Sequence, residues 1–135
     1  MPPINSYSGT YQIAFNASST APLPSNAATA TTLAFAVWDD GNIAAAGGEH
    51  WFKFTATAST QYIHVVPDTL EYLYVQIYDS SGGTVGDYAY LNNSTRSASR
   101  SLTSGQTYYI GVRPSISSNG SGTYQIAFNA SSTAP

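Results

Sequence analysis

Apolar residues recur along this chain with a period of two, and no stretch carries a helical period. In residues 50–56, Phe52 and Phe54 point one way while Trp51 and Lys53 point the other. Residues 61–66 place Ile63 and Val65 inward, and residues 73–78 do the same with Leu73, Val75 and Ile77. Asp79, Ser80, Ser81, Gly82 and Gly83 form a hairpin loop leading into a strand over 84–91. Residues 97–102 read as a polar edge strand. Residues 108–112 bury Tyr108, Ile110 and Val112, and residues 124–128 close the series with Tyr124, Ile126 and Phe128. Nearer the start, 33–38 alternates as a strand, Asp39-Asp40-Gly41-Asn42 reads as a turn, 43–46 as a short strand, and Gly47-Gly48 as another turn. Short strands with turn signals every 8–12 residues predict an all-β fold, an antiparallel jelly-roll-like β-sandwich of about 8–9 strands.

The last strand occurs twice. Residues 8–22 and 121–135 are the same fifteen residues, SGTYQIAFNASSTAP, offset by 121 − 8 = 113. Chance does not give such a run, and a tandem array with that period explains it. Residues 1–22 then read as the tail of a preceding repeat and 23–135 as one repeat, with 23–32 as its linker. The low-complexity stretch 17–32 carries prolines and one large apolar residue, Leu23, which fits an extended connection. One sandwich has one place for one strand. Tyr11, Ile13 and Phe15 in the first copy therefore duplicate Tyr124, Ile126 and Phe128 in the second, and six anchors compete for the same burial. The spare copy is expected to lie on a sheet edge or to enter a neighbouring molecule. Reciprocal exchange builds homo-oligomers, and head-to-tail exchange builds filaments.

Composition narrows the partners. Charged residues are 8% of the chain and the net charge is −3. Four basic residues, Lys53, Arg96, Arg100 and Arg113, argue against nucleic acid. No apolar run is long enough for a transmembrane helix, so membrane insertion is not expected. Cysteine is absent, which removes disulfides and thiol chemistry. Many hydroxyl side chains and eleven tyrosines point to an extracellular or cell-surface β-protein. Asn-x-Ser/Thr sequons stand at Asn16, Asn92, Asn93, Asn119 and Asn129, a number expected in so Asn- and Ser-rich a chain.

Four landmarks, in order, carry a family resemblance: GEHWFKFTA (48–56), LYVQIYDSSG (73–82), LTSGQTYYIGV (102–112) and SGTYQIAFN (121–129). Together they resemble the bacterial pre-peptidase C-terminal domain family over about eighty residues. One departure is TLEYLYVQIYD (69–79), where the family often has "DLDLYLYD"; Glu71 stands where an acidic residue is common. The resemblance implies a secreted jelly-roll-like sandwich without catalysis of its own, appended to peptidases or strung in arrays. Some relatives bind collagen or calcium.

Candidate chemistry is sparse. Asp39, Asp40 and Asn42, with Glu49 a short hairpin later, are the densest oxygen cluster and the place where calcium would sit, the one cofactor weighed. The same residues are also an ordinary turn. His50 and His64 lie on strands without a nucleophile elbow, so neither a hydrolytic triad nor a zinc site is expected, and the chain is read as not an enzyme. Trp38, Trp51, Tyr74, Tyr78 and Tyr109, with Tyr88 and Tyr90, supply outward aromatics for a glycan or a matrix protein. Cross-strand packing on a solvated sheet face uses the same residues. The sequence thus predicts a non-catalytic structural or assembly repeat whose partners are neighbouring repeats or a second copy. The alternatives are a ligand-binding module and a targeting module of a peptidase.

Overall fold

A computed structural model describes Ile13, Phe15, Ala27 and residues 29–44, 48–115 and 120–135. Among the described residues nine strands run in chain order: β1 (Thr31–Thr32), β2 (Asp39–Ile43), β3 (His50–Thr55), β4 (Thr60–Pro67), β5 (Leu73–Asp79), β6 (Thr84–Leu91), β7 (Ser97–Ser101), β8 (Thr107–Pro114) and β9 (Gly122–Asn129). They form a five-stranded sheet ordered β1-β3-β8-β5-β6 and a four-stranded sheet ordered β2-β9-β4-β7. This is the all-β sandwich the alternation predicts. Every pairing is antiparallel except β1 with β3.

The two inner faces make one core. Phe52 and Phe54 of β3, Leu73, Val75 and Ile77 of β5 and Ile110 and Val112 of β8 meet Ile63 and Val65 of β4 and Tyr124, Ile126 and Phe128 of β9. Each contributes alternate residues, because successive side chains on a strand leave opposite faces. The hairpin between β5 and β6 is tied by Asp79, whose carboxylate accepts from the backbone of Ser81 and Gly83 and from the Ser81 hydroxyl. Those bonds hold the Asp79 carboxyl below its ordinary range.

Four local expectations are corrected. Residues 33–38 are not a strand: Leu33 is buried, but Phe35 and Val37 are exposed. Ala36 turns the chain in the left-handed region, at φ 58, and its N–H bonds the carbonyl of Phe128 at 2.9 Å. Conversely, Asp39-Asp40-Gly41-Asn42 is not a turn but most of β2, paired along its length with β9. Pairing with a buried strand overrides the turn preference of these residues. The strand expected over 43–46 keeps only Ile43, as the end of β2; Ala45 and Ala46 lie outside the described residues. The end of the expected linker is also structured, since Thr31 and Thr32 pair with Phe52 and Lys53.

Candidate functional site

β9 occupies a slot between β2 and β4 in the middle of its sheet. Its inner face is all anchor. Tyr124 lies across Gly41, where a Cβ would stand 2.2 Å from the tyrosine ring, so only glycine fits opposite. The Tyr124 ring also meets His50 and Phe52 edge-on, at centroid distances of 6.2 and 6.4 Å. Phe128 packs on Phe54 at 4.6 Å and on Phe35 at 5.7 Å. Tyr124, Ile126 and Phe128 are buried. Burial of three such side chains stabilises the docked strand by about 5–8 kcal/mol before ordering costs. The Tyr124 hydroxyl is buried without a hydrogen-bond partner, and burial raises its pKa. The His50 ring accepts from the Asn42 N–H at 3.4 Å. Burial lowers its pKa, with Asp39 opposing the shift.

The outer face of β9 is bonded instead. Gln125 donates to Asp40 at 3.3 Å and the Thr123 hydroxyl to Asp68 at 2.7 Å. Past the strand, the chain folds into a clasp over His64. The His64 ring Nε2 lies 2.8 Å from the Asn129 side-chain oxygen and 3.1 Å from the Ser131 carbonyl. Asn129 in turn donates to the Thr133 carbonyl and accepts from the Ser131 N–H. The Trp38 indole donates to the Pro135 carbonyl at 3.1 Å. The sequence reading missed His64, Asn129 and this tail as one device. The signal was present: the identity between the two copies runs through Asn129 to Pro135, beyond the end of the strand.

The two described residues of the first copy are in the opposite state. Ile13 is 87% exposed and Phe15 is 98% exposed, whereas Ile126 and Phe128 are 0% and 2% exposed. Tyr11 lies outside the described residues.

The aromatic candidates do not all meet. Trp51, Tyr74, Tyr78 and Tyr109 share the outer face of the five-stranded sheet with Tyr88 and Tyr90, as the register of β3, β8, β5 and β6 requires. Trp51 is nevertheless buried, lying on Gly111 and under Tyr78 at 5.2 Å, with its indole N–H unpartnered. Tyr74 packs edge-on to Tyr88 at 4.8 Å and beneath the Arg113 guanidinium at 5.3 Å. Burial, and next the Glu49 carboxylate, raise the Tyr78 pKa, while Arg113 opposes them. A shallow depression opens among Tyr74, Gln76, Tyr78 and Tyr88. Trp38 lies apart, at the clasp.

The calcium candidates are separated. Asp39 and Asp40 leave opposite faces of β2, and Asp40 and Asn42 border a depression shared with Asp68 and Gln125. Glu49 lines the aromatic depression instead. Among the described residues no three His, Cys, Asp or Glu side chains converge as metal ligands.

No family model matches the chain. No curated protein matches it either. Among solved structures, the pre-peptidase C-terminal domain of collagenase from Bacillus anthracis is similar at a TM-score of 0.58 and 19% identity, covering 73% of this chain and 93% of that one. PliG of Salmonella Typhimurium, a periplasmic lysozyme inhibitor of g-type lysozyme, aligns at a TM-score of 0.47 and 14% identity over 73% of this chain and 95% of its own. The first likeness establishes that this chain has the β-sandwich fold of a pre-peptidase C-terminal domain.

Proposed function

We propose that the chain is a non-catalytic structural module of a secreted or cell-surface protein, one unit of a tandem array, which associates through its terminal strand. One observation carries this reading. The same sequence that fills the centre of a sheet as β9 is present a second time with Ile13 and Phe15 in solvent. A segment whose sequence alternates as a buried strand does, with Ile13 and Phe15 exposed, is a ready donor for another sheet. The low charge and the hydroxyl-rich composition support an extracellular setting. The test is solution mass by light scattering, for the whole chain and for residues 23–135. A mass above that of a monomer for the whole chain, with a monomer for the shorter one, is expected. Monomers in both, with equal thermal stability, refute assembly through this strand.

The outer aromatic face favours a second reading, a ligand-binding module. Tyr88 and Tyr90 are exposed beside the depression, and the Trp51 ring, whose N–H is buried and unpartnered, lies 5.2 Å from the Tyr78 ring. The contacts of Tyr74 with Tyr88, edge-on, and with Tyr90, tilted, weigh toward cross-strand packing, since a stacking platform needs flat faces turned outward. Titration with a soluble chitin hexasaccharide, read by tryptophan emission, decides between them: a saturable shift supports binding, and no shift leaves the face as packing.

A further inference from the structure

We infer that the two strand copies are alternative occupants of one slot within a single chain, so that the domain folds in two connectivities, one with β9 docked and one with residues 9–16 docked in its place. The inference rests on the reading that the terminal strand is exchangeable, and adds that the nearest acceptor is the chain's own sheet.

The geometry permits it. β9 ends beside the start of the domain, where the Phe128 carbonyl accepts from the Ala36 N–H at 2.9 Å. The equivalent residue of the first copy is Phe15, since 128 − 113 = 15. A chain from Phe15 to Ala36 reaches about 70 Å when extended, where only a hydrogen bond's length is needed. The clasp transfers as well. Asn16 to Pro22 repeats Asn129 to Pro135, so Asn16 would meet His64 and Pro22 would meet Trp38. The chain must then return from Trp38 to Thr31. Those two residues are seven apart in sequence, hence at most about 25 Å apart in space, and the nine steps from Pro22 to Thr31 reach about 30 Å.

The energetics nearly balance. The first copy carries in sequence the same residues that the second presents to Phe54, Gly41, Phe52 and His64. What differs is the connection. β9 follows β8 through residues 115–121, whereas the first copy would reach β1 through residues 17–30, a loop twice as long. Doubling a loop shifts such an equilibrium by only about three-fold, here in favour of β9. The array gains a property from this. In a tandem array, a unit that accepts the strand of the preceding unit frees its own terminal strand for the next, so linkage can propagate along the chain with one slot empty at the start and one strand free at the end.

The test disables one copy at a time in the whole chain. Ile126→Asp places a carboxylate in the core and prevents β9 from docking. The expected result is a monomer that keeps its cooperative melt, while Ile13→Asp with Ile126→Asp loses it. An Ile126→Asp chain that folds only as an oligomer overturns docking within the chain but upholds exchange between molecules. An Ile126→Asp chain as unfolded as the double variant overturns both. A second pair of variants leaves the anchors intact. Asp40 faces Gln125 across the β2–β9 seam, and Gln12 is the equivalent of Gln125. The chain has no cysteine of its own. Asp40→Cys with Gln12→Cys should therefore close a disulfide within one dilute monomer, as Asp40→Cys with Gln125→Cys should. Cross-linked dimers alone, or free thiols under conditions that oxidise the second pair, contradict the inference.

Discussion

Residues 121–135 and residues 8–22 have one sequence, yet Ile126 and Phe128 are buried while their counterparts Ile13 and Phe15 are exposed. In the second copy Phe128 packs on Phe54 and Phe35, and Ile126 has no solvent contact. In the first copy the equivalent Phe15 and Ile13 lie almost fully in water. Local propensity, alternation and side-chain volume are identical between them, so none of these decides burial. The slot decides it: β2 on one side, β4 on the other, Phe54 below and Gly41 leaving room for a ring. A strand sequence specifies what it can bury, and the rest of the sheet specifies whether it does.

The slot, being single, is where substitution should act most strongly. Phe54→Ala is expected to cost about 3–5 kcal/mol in urea unfolding, because neither copy can replace the lost floor. A cost under 1 kcal/mol would mean that the slot does not depend on this ring. Gly41→Ala should follow at about 1–3 kcal/mol, since the added methyl meets the Tyr124 ring and would meet Tyr11 equally. Wild-type stability in this variant would show that Tyr124 does not lie across the glycine.

Acid should loosen the same region. Folding lowers the His50 pKa from its ordinary 6.5, so the unfolded chain takes up the proton first. The stabilisation from neutral His50 is complete above that value and is lost as pH falls through the folded pKa. Melting temperature should therefore decline below about pH 6.5, and His50→Gln should flatten that part of the profile. An unchanged slope in the variant would assign the decline to other groups. The smallest effect belongs to the exposed copy. Phe15→Ser should change stability by no more than about 0.5 kcal/mol while lowering the associated mass. A larger loss would place Phe15 in a packed site.

Period-two alternation made most of the sandwich legible, from Phe52 and Phe54 to Ile110 and Val112, because a half-buried strand must alternate. It failed where alternation and pairing part company. Residues 33–38 alternate but turn at Ala36, held by the Phe128 carbonyl, and a long-range bond leaves no local signature. Asp39 to Asn42 have turn chemistry but are fixed by β9, some eighty residues away in sequence. The candidate site was half legible. The duplication exposed the anchors at once. The clasp was hidden because Asn129, Ser131 and Thr133 look like linker until His64 is placed beneath them. Within the oxygen cluster, Asp39 parts from Asp40 and Asn42 because residues adjacent on a strand leave opposite faces, and Glu49 lies off β2 beside the outer aromatic depression.

The most direct measurement is light scattering on the whole chain refolded with and without excess free peptide of residues 8–22. If the copies are interchangeable, the peptide occupies the slot and the mass falls to that of one chain with one peptide bound. A mass above the monomer that the peptide leaves unchanged would contradict association through the terminal strand.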